Sequence, residues 1–171
     1  MAQVILVNAD GTPCGTADLR EAHSGEGKLH RAFSVYVFRK RGTELLIQRR
    51  SATKMLWPLL WANTCCSHPR EGETIPEAAT RRLQEELGFT CPLQEHSTYV
   101  YRAEDPGRGV EHEHVTIVIG EADKDVAPHP DPAEIAEWKW VPVAGLRTDM
   151  ERHPEDFAPW FPIGLHTILS P

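Results

Sequence analysis

Two glutamates open the segment EHEHVTIVI at positions 111–119. Alternate side chains of a strand share a face, so Glu111 and Glu113 continue the row of Val115, Ile117 and Ile119, while His112, His114 and Thr116 take the other side. Carboxylates heading an apolar, core-facing row are costly unless a metal or positive groups compensate them. The other reading is an exposed, frayed strand start. On the first reading His112 and His114 face solvent and are not ligands. Three more histidines can complete a metal site: His23 and His30, joined through Gly25 and Gly27, and His68. Three imidazoles with two carboxylates make a mixed N/O set suited to Zn²⁺, Mn²⁺ or Fe²⁺ more than to Ca²⁺. Singly, each of these histidines reads more readily as a surface or satisfied residue than as a ligand, and His96, His129, His153 and His166 lack even that company. Cys66 stands two residues before His68 in WANTCCSHP (61–69). A thiol with a reference pKa near 8.5 can exchange protons near neutrality once its surroundings tune it. Cys65 points to the opposite strand face and is expected to be inert packing.

These groups need a scaffold. The clearest element is a helix from Thr74: Thr74 as N-cap with Glu77 forms a capping box, and Pro76 sits in the tolerant first turn. Ile75, Ala79, Leu83 and Leu87 repeat every four residues as one buried stripe, and Gly88 ends it. Its polar side carries the pairs Arg81/Glu85 and Arg82/Glu86, which on the helix alone also read as a solvated face. Val4–Val7 reads as a strand. Phe33–Phe38 and Leu45–Gln48 read as a hairpin across Lys40–Gly42. Thr98–Arg102 and Glu111–Ile119 pair around Pro106-Gly107, and Glu137–Val141 is a further strand with Trp138 and Trp140 on one side. Asp156–Leu169 reads as a second helix interrupted by Pro159 and Pro162. Strands on both sides of one strong helix argue for a mixed α/β or α+β sandwich.

Composition narrows the classes. The 171 residues fit one domain, 40% apolar content is enough for a core, and 18 Lys+Arg against 25 Asp+Glu leave a formal charge of −7. So acidic a chain is a poor general nucleic-acid binder. No apolar run approaches the ~20 residues of a membrane span, and the N-terminus MAQVILVNADG has no secretory pattern. The four cysteines form no zinc spacing, and Cys65 and Cys66 are poorly placed to bridge each other. These features predict a cytoplasmic chain with reduced thiols, bound to neither membrane nor nucleic acid.

Ser67, Glu73, Arg81, Arg82, Leu83, Glu85, Glu86, Gly88 and Phe89 together resemble the Nudix box, G-x5-E-x7-R-E-U-x-E-E-x-G-U with U apolar, departing at Ser67 and Arg82. NTCCSHP resembles the active-site strand of the type 1 isopentenyl-diphosphate isomerases. Similarity to that family runs from His23 to Phe161 and takes in the His23/His30 pair, RRSATK (49–54), Trp57-Pro58, Tyr101-Arg102-Ala103, Glu111-His112-Glu113 and Pro159-Trp160-Phe161.

The resemblance implies a single Nudix-fold isomerase domain over 1–171, an α/β (α+β) fold of the α/β/α sandwich type with a mixed central sheet. It implies isomerisation between isopentenyl and dimethylallyl diphosphate through a tertiary carbocation, supplying isoprenoid precursors. It implies Cys66 and Glu113 as the acid/base pair, with no order of action fixed, and Tyr101 assisting the glutamate. Trp160 would stabilise the cation by cation–π attraction, although it also reads as a core anchor like Trp57 or Trp61. Arg50, Lys54 and Arg82 would bind the diphosphate. His23, His30, His68, Glu111 and Glu113 would hold a first metal, Zn²⁺ or Mn²⁺, and Glu86 a Mg²⁺ against the diphosphate. The partner would be a small allylic or homoallylic diphosphate, and the protein a monomer. The family often places a basic residue shortly before the first histidine; Leu19 or Arg20 falls there, so that contact stays open.

Two other readings remain. A Nudix hydrolase is favoured by Glu73, Glu85 and Glu86 and disfavoured by Arg82 and the Cys66/His68 strand. A non-catalytic binding module would leave Cys66, Glu113 and the histidines without purpose.

Overall fold

The computed structural model describes residues 2–170. In chain order it has β1 (Gln3–Val7), β2 (Pro13–Asp18), α1 (Leu19–Ala22), β3 (His30–Arg39), β4 (Glu44–Arg50), β5 (Trp61–Ala62), β6 (Cys65–Ser67), α2 (Ile75–Leu87), β7 (Leu93–Asp105), β8 (Gly109–Glu121), β9 (Ile135–Pro142), α3 (Val143–Arg152) and α4 (Trp160–Leu169). No helix among the described residues is long and apolar enough to cross a membrane.

β3 organises the sheet. It runs parallel to β8 from His30↔Glu113 to Phe38↔Glu121, and antiparallel to β6 at Phe33–Val35. β7 and β8 form a long antiparallel hairpin, and β4 pairs with β9 and β5. The expected β3–β4 hairpin holds only beside its turn, at Phe38↔Leu45 and Arg39↔Glu44.

Helices cover both faces, as the apolar run of β3 requires, because a strand in mid-sheet under two layers needs apolar side chains on both sides. Phe33, Val35 and Val37 pack with Leu46, Val118 and the α2 stripe Ala79, Leu83 and Leu87. Ala32, Tyr36 and Phe38 face the other way, toward Val115, Ile117, Trp160, Phe161 and Leu165. The result is a mixed-sheet α/β/α sandwich.

α2 starts and stops where its sequence signals stand. Thr74 and Glu77 make both capping-box bonds, and Gly88 takes the left-handed conformation at φ 72°. α4 differs from expectation: Pro159 precedes it, but Pro162 lies inside its first turn, where no backbone donor is needed, so the helix runs unbroken from Trp160. Gly164 lets α4 approach the sheet; a Cβ there would sit 2.1 Å from the Tyr36 hydroxyl. At the tip of the β7–β8 hairpin, Asp105 Oδ2 accepts from Trp57 N at 2.7 Å. Val110 N donates to His23 O at 2.9 Å, and a Cβ on Gly109 would lie 2.6 Å from that oxygen.

Candidate active site

His23 caps the C-terminal end of α1, His30 begins β3, His68 follows β6, and Glu113 sits opposite His30 in β8. One ligand atom from each of these four lies within 4.8 Å of the others. His30 Nε2 is 3.1 Å from His68 Nε2, and Glu113 Oε1 is 3.0 Å from His68 Nε2 and 3.5 Å from His30 Nε2. Carbonyl acceptors behind the rings fix their orientation: Nδ1 of His23 donates to Leu19 O and Nδ1 of His30 to Lys28 O, both at 2.7 Å. In its neutral form, with the proton on Nδ1, each ring leaves an Nε2 lone pair, the tautomer a metal ligand needs. Burial holds His23 at about 4, so this ring is neutral at pH 7. Burial also lowers His68. Burial opposes ionisation of Glu113, yet His30 and His68 bring its carboxyl well below the usual range. His30 goes the other way: burial opposes its charge, but its hydrogen bond to Glu113 and the charge of that carboxylate raise it. Three converging imidazoles and an ionised carboxylate fit a divalent cation, which takes the place of the ring proton.

The structure assembles four of the five expected ligands in this cluster. Glu111 lines the same cavity but gives its carboxylate to the Tyr101 hydroxyl, which also reaches Glu113 Oε2 at 3.3 Å. Burial first, and then the neighbouring Glu113 charge, push Glu111 upward. His112 and His114 stand outside the cluster as expected, but they are half-buried rather than free in solvent.

His23, His68 and Glu113 of this cluster line one wall of a cavity of about 220 Å³, with His30 buried behind them. Cys66, Trp160, Ser34 and Leu19 line it as well, whereas the exposed Arg20 does not. β6 puts the neighbouring thiols on opposite sides of the sheet: Cys65 is fully buried against the α2 layer, and Cys66 faces the cavity. Burial pushes the Cys66 thiol up to about 12, against the pull of Ser34 and Arg50. It therefore carries its proton at pH 7. Tyr101 packs behind, its ring centroid 6.4 Å from that of Trp160. A pocket with a thiol, a carboxylate and an indole on its walls can move protons on a hydrocarbon and stabilise a cation beside the ring.

Arg50, Lys54 and Arg82 line the cavity too. Arg50 is braced by Leu56 O at 2.8 Å and Trp57 O at 3.0 Å, with its guanidinium carbon 5.1 Å from the Trp160 ring centroid. Arg82 donates to Glu86 at 2.6 Å, Glu85 at 2.8 Å and Glu134 at 3.0 Å, and Lys54 pairs with Glu134. Glu86 is 1% exposed and is held behind Arg82, off the cavity lining. Glu73 is bound by Arg81, which lowers it to about 2. Sequence reasoning missed Glu134. It follows a Pro-rich stretch with no periodicity, and only the turn leading into β9 brings it to the cations.

A family model described as the NUDIX domain matches residues 28–161, which makes this a Nudix-domain protein. The fold agrees: a Deinococcus radiodurans crystal structure superposes with TM-score 0.79 at 18% identity, covering 99% of this chain and 100% of that one. A MutT protein from Methanosarcina mazei gives TM-score 0.64 at 14% identity, over 81% and 91%. Sequence relatives narrow the class. An isopentenyl-diphosphate Delta-isomerase of Nocardia farcinica is 47% identical over 92% of this chain and 89% of its own, and one of Halorhodospira halophila is 44% identical over 94% and 91%. The chain belongs to the isopentenyl-diphosphate Delta-isomerase family.

Proposed function

We propose that this protein interconverts isopentenyl and dimethylallyl diphosphate, with Cys66 and Glu113 exchanging the protons. The observation that carries this is one cavity of about 220 Å³ lined by the Cys66 thiol, the Glu113 carboxylate, the Trp160 indole and three cationic side chains. Moving the double bond adds a proton to the terminal alkene carbon and removes one from the carbon on the far side of the tertiary centre. No net proton is consumed, so the donor and the acceptor swap roles on reversal. At rest the thiol is protonated and Glu113 ionised, a pairing ready for one gain and one loss. Tyr101, hydrogen-bonded to Glu111 and Glu113, orients the acid. Trp160 offers a face that attracts the tertiary cation without adding to it.

His23, His30, His68 and Glu113 would hold a Zn²⁺ or Mn²⁺ ion, with Glu111 as the fifth ligand; Glu86, buried and paired with Arg82 at 2.6 Å, would meet a Mg²⁺ against the diphosphate once Arg82 turns from it to the phosphate. Such ions supply fixed positive charge beside the reacting carboxylate and the diphosphate oxygens. Arg50, Lys54 and Arg82 grip the diphosphate through charge-assisted hydrogen bonds. Glu73 pairs with Arg81 at 2.6 Å, and Glu85 and Glu86 pair with Arg82 at 2.8 and 2.6 Å, so each carboxylate that favours hydrolysis has a guanidinium beside it. We read residues 1–171 as one domain acting as a monomer in the cytoplasm on a small diphosphate, with no nucleic-acid or membrane partner.

The test is incubation of the purified protein with isopentenyl diphosphate and Mg²⁺ plus Mn²⁺ or Zn²⁺ in deuterated water. Deuterium in recovered dimethylallyl diphosphate supports the reading. Release of inorganic phosphate, or no product from metal-loaded protein, overturns it.

A further inference from the structure

Asn63 lies in the turn between β5 and β6, fully buried and off the cavity lining. Its amide nitrogen donates to Val35 O at 3.0 Å and to Cys65 O at 3.2 Å, so both N–H bonds are used and the carboxamide cannot flip. The amide oxygen accepts from two groups. The Cys66 thiol approaches at 3.1 Å and the Trp160 indole nitrogen at 3.0 Å. On the far side of the sulfur, Ser34 Oγ stands 3.3 Å away.

One carbonyl oxygen thus ties the group that exchanges a proton to the ring that faces the cation. Its two lone pairs are saturated, one by S–H and one by indole N–H. This sets the direction of the thiol proton and locks the rotation of the Trp160 ring about its side-chain bonds. An indole that donates its N–H to a carbonyl is also polarised toward higher electron density on the ring, which strengthens its attraction for a cation. We propose, resting on the isomerase reading, that Asn63 is a positioning residue for this reaction, acting on Cys66 and Trp160 through its single amide oxygen and never touching substrate.

Because Asn63 contacts none of the diphosphate-binding cations, its loss should appear in kcat and not in KM. In Asn63→Ala, loaded with the same metals, we expect kcat for isopentenyl diphosphate to fall at least thirtyfold with KM within threefold of wild type. A second variant removes only the indole donor: Trp160→3-benzothienylalanine keeps the ring shape but replaces N–H by sulfur. It should lose at least fivefold in kcat with KM and melting temperature unchanged. Either variant retaining kcat within twofold, or losing activity only through a raised KM, overturns the proposal. If Asn63→Ala does not fold, the benzothienyl variant decides alone. Wild-type protein run in parallel separates the two failures, since absence of dimethylallyl diphosphate there defeats the isomerase reading itself.

Discussion

His30 and Glu113 are direct partners in the parallel pairing of β3 and β8, with Nε2 and Oε1 3.5 Å apart. The sheet register itself therefore sets the spacing of two candidate ligands, and a carboxylate that would be costly in an apolar layer is compensated by the strand beside it.

Glu113→Gln keeps the shape but removes the charge that His30 and His68 face. Turnover is expected to fall by roughly 10²–10⁴-fold, and bound metal to fall with it. Metal analysis beside steady-state kinetics checks this; full turnover with full metal content would rule out the role of Glu113.

Adjacent cysteines give a paired control. Cys66→Ala should lose turnover by roughly 10²–10⁴-fold with an unchanged melting curve. Cys65→Ala, which opens a small gap in the α2 layer, should cost about 1 kcal/mol of stability and leave kcat nearly intact. The opposite pattern would show that the wrong thiol had been assigned.

The Glu73–Arg81 pair predicts a pH dependence. Arg81 depresses the Glu73 carboxyl from 4.5 to about 2, so its stabilising contribution is complete above pH 4.5 and disappears as pH falls toward 2. Glu73→Gln should cost on the order of 1 kcal/mol at pH 7, given the partial exposure of the pair. In urea melts the gap from wild type should narrow between pH 7 and pH 3; a constant gap would count against it.

Gly164→Ala tests the seat of Trp160. The new methyl would overlap the fully buried Tyr36 hydroxyl, forcing α4 outward. A loss of about 1–3 kcal/mol is expected from such overpacking, together with reduced kcat because Trp160 begins the same helix. A variant as stable and as active as wild type would contradict this packing.

Much of this was legible because local signals and global fold agree. Thr74, Glu77 and Gly88 mark the ends of α2 by backbone chemistry that needs no tertiary context. The alternation from Glu111 to Ile119 likewise placed two carboxylates on the face that proved to be the cavity side. What escaped depends on distant partners. β2 is an edge strand with mostly exposed residues, so it carries no apolar alternation. α3 contains a kink at Ala144 and Gly145 that breaks its periodicity. Glu134 reaches Lys54 and Arg82 only by three-dimensional return of the chain. The sharing of Asn63 Oδ1 between Cys66 and Trp160 joins positions 97 residues apart, 63 and 160, a distance no spacing rule spans.

Hairpin tips are ordinarily where chains accept added residues. In this fold the two sides of the tip are bolted down: Asp105 holds the Trp57 backbone, and Gly109 lies against the carbonyl of His23. The same hairpin carries Glu111 and Glu113 a few residues further on. The exposed turn 106–108 is free, but the residues on either side of it are a structural pin, and a shift of Gly109 would be felt at His23 and along the strand at Glu111 and Glu113 at once.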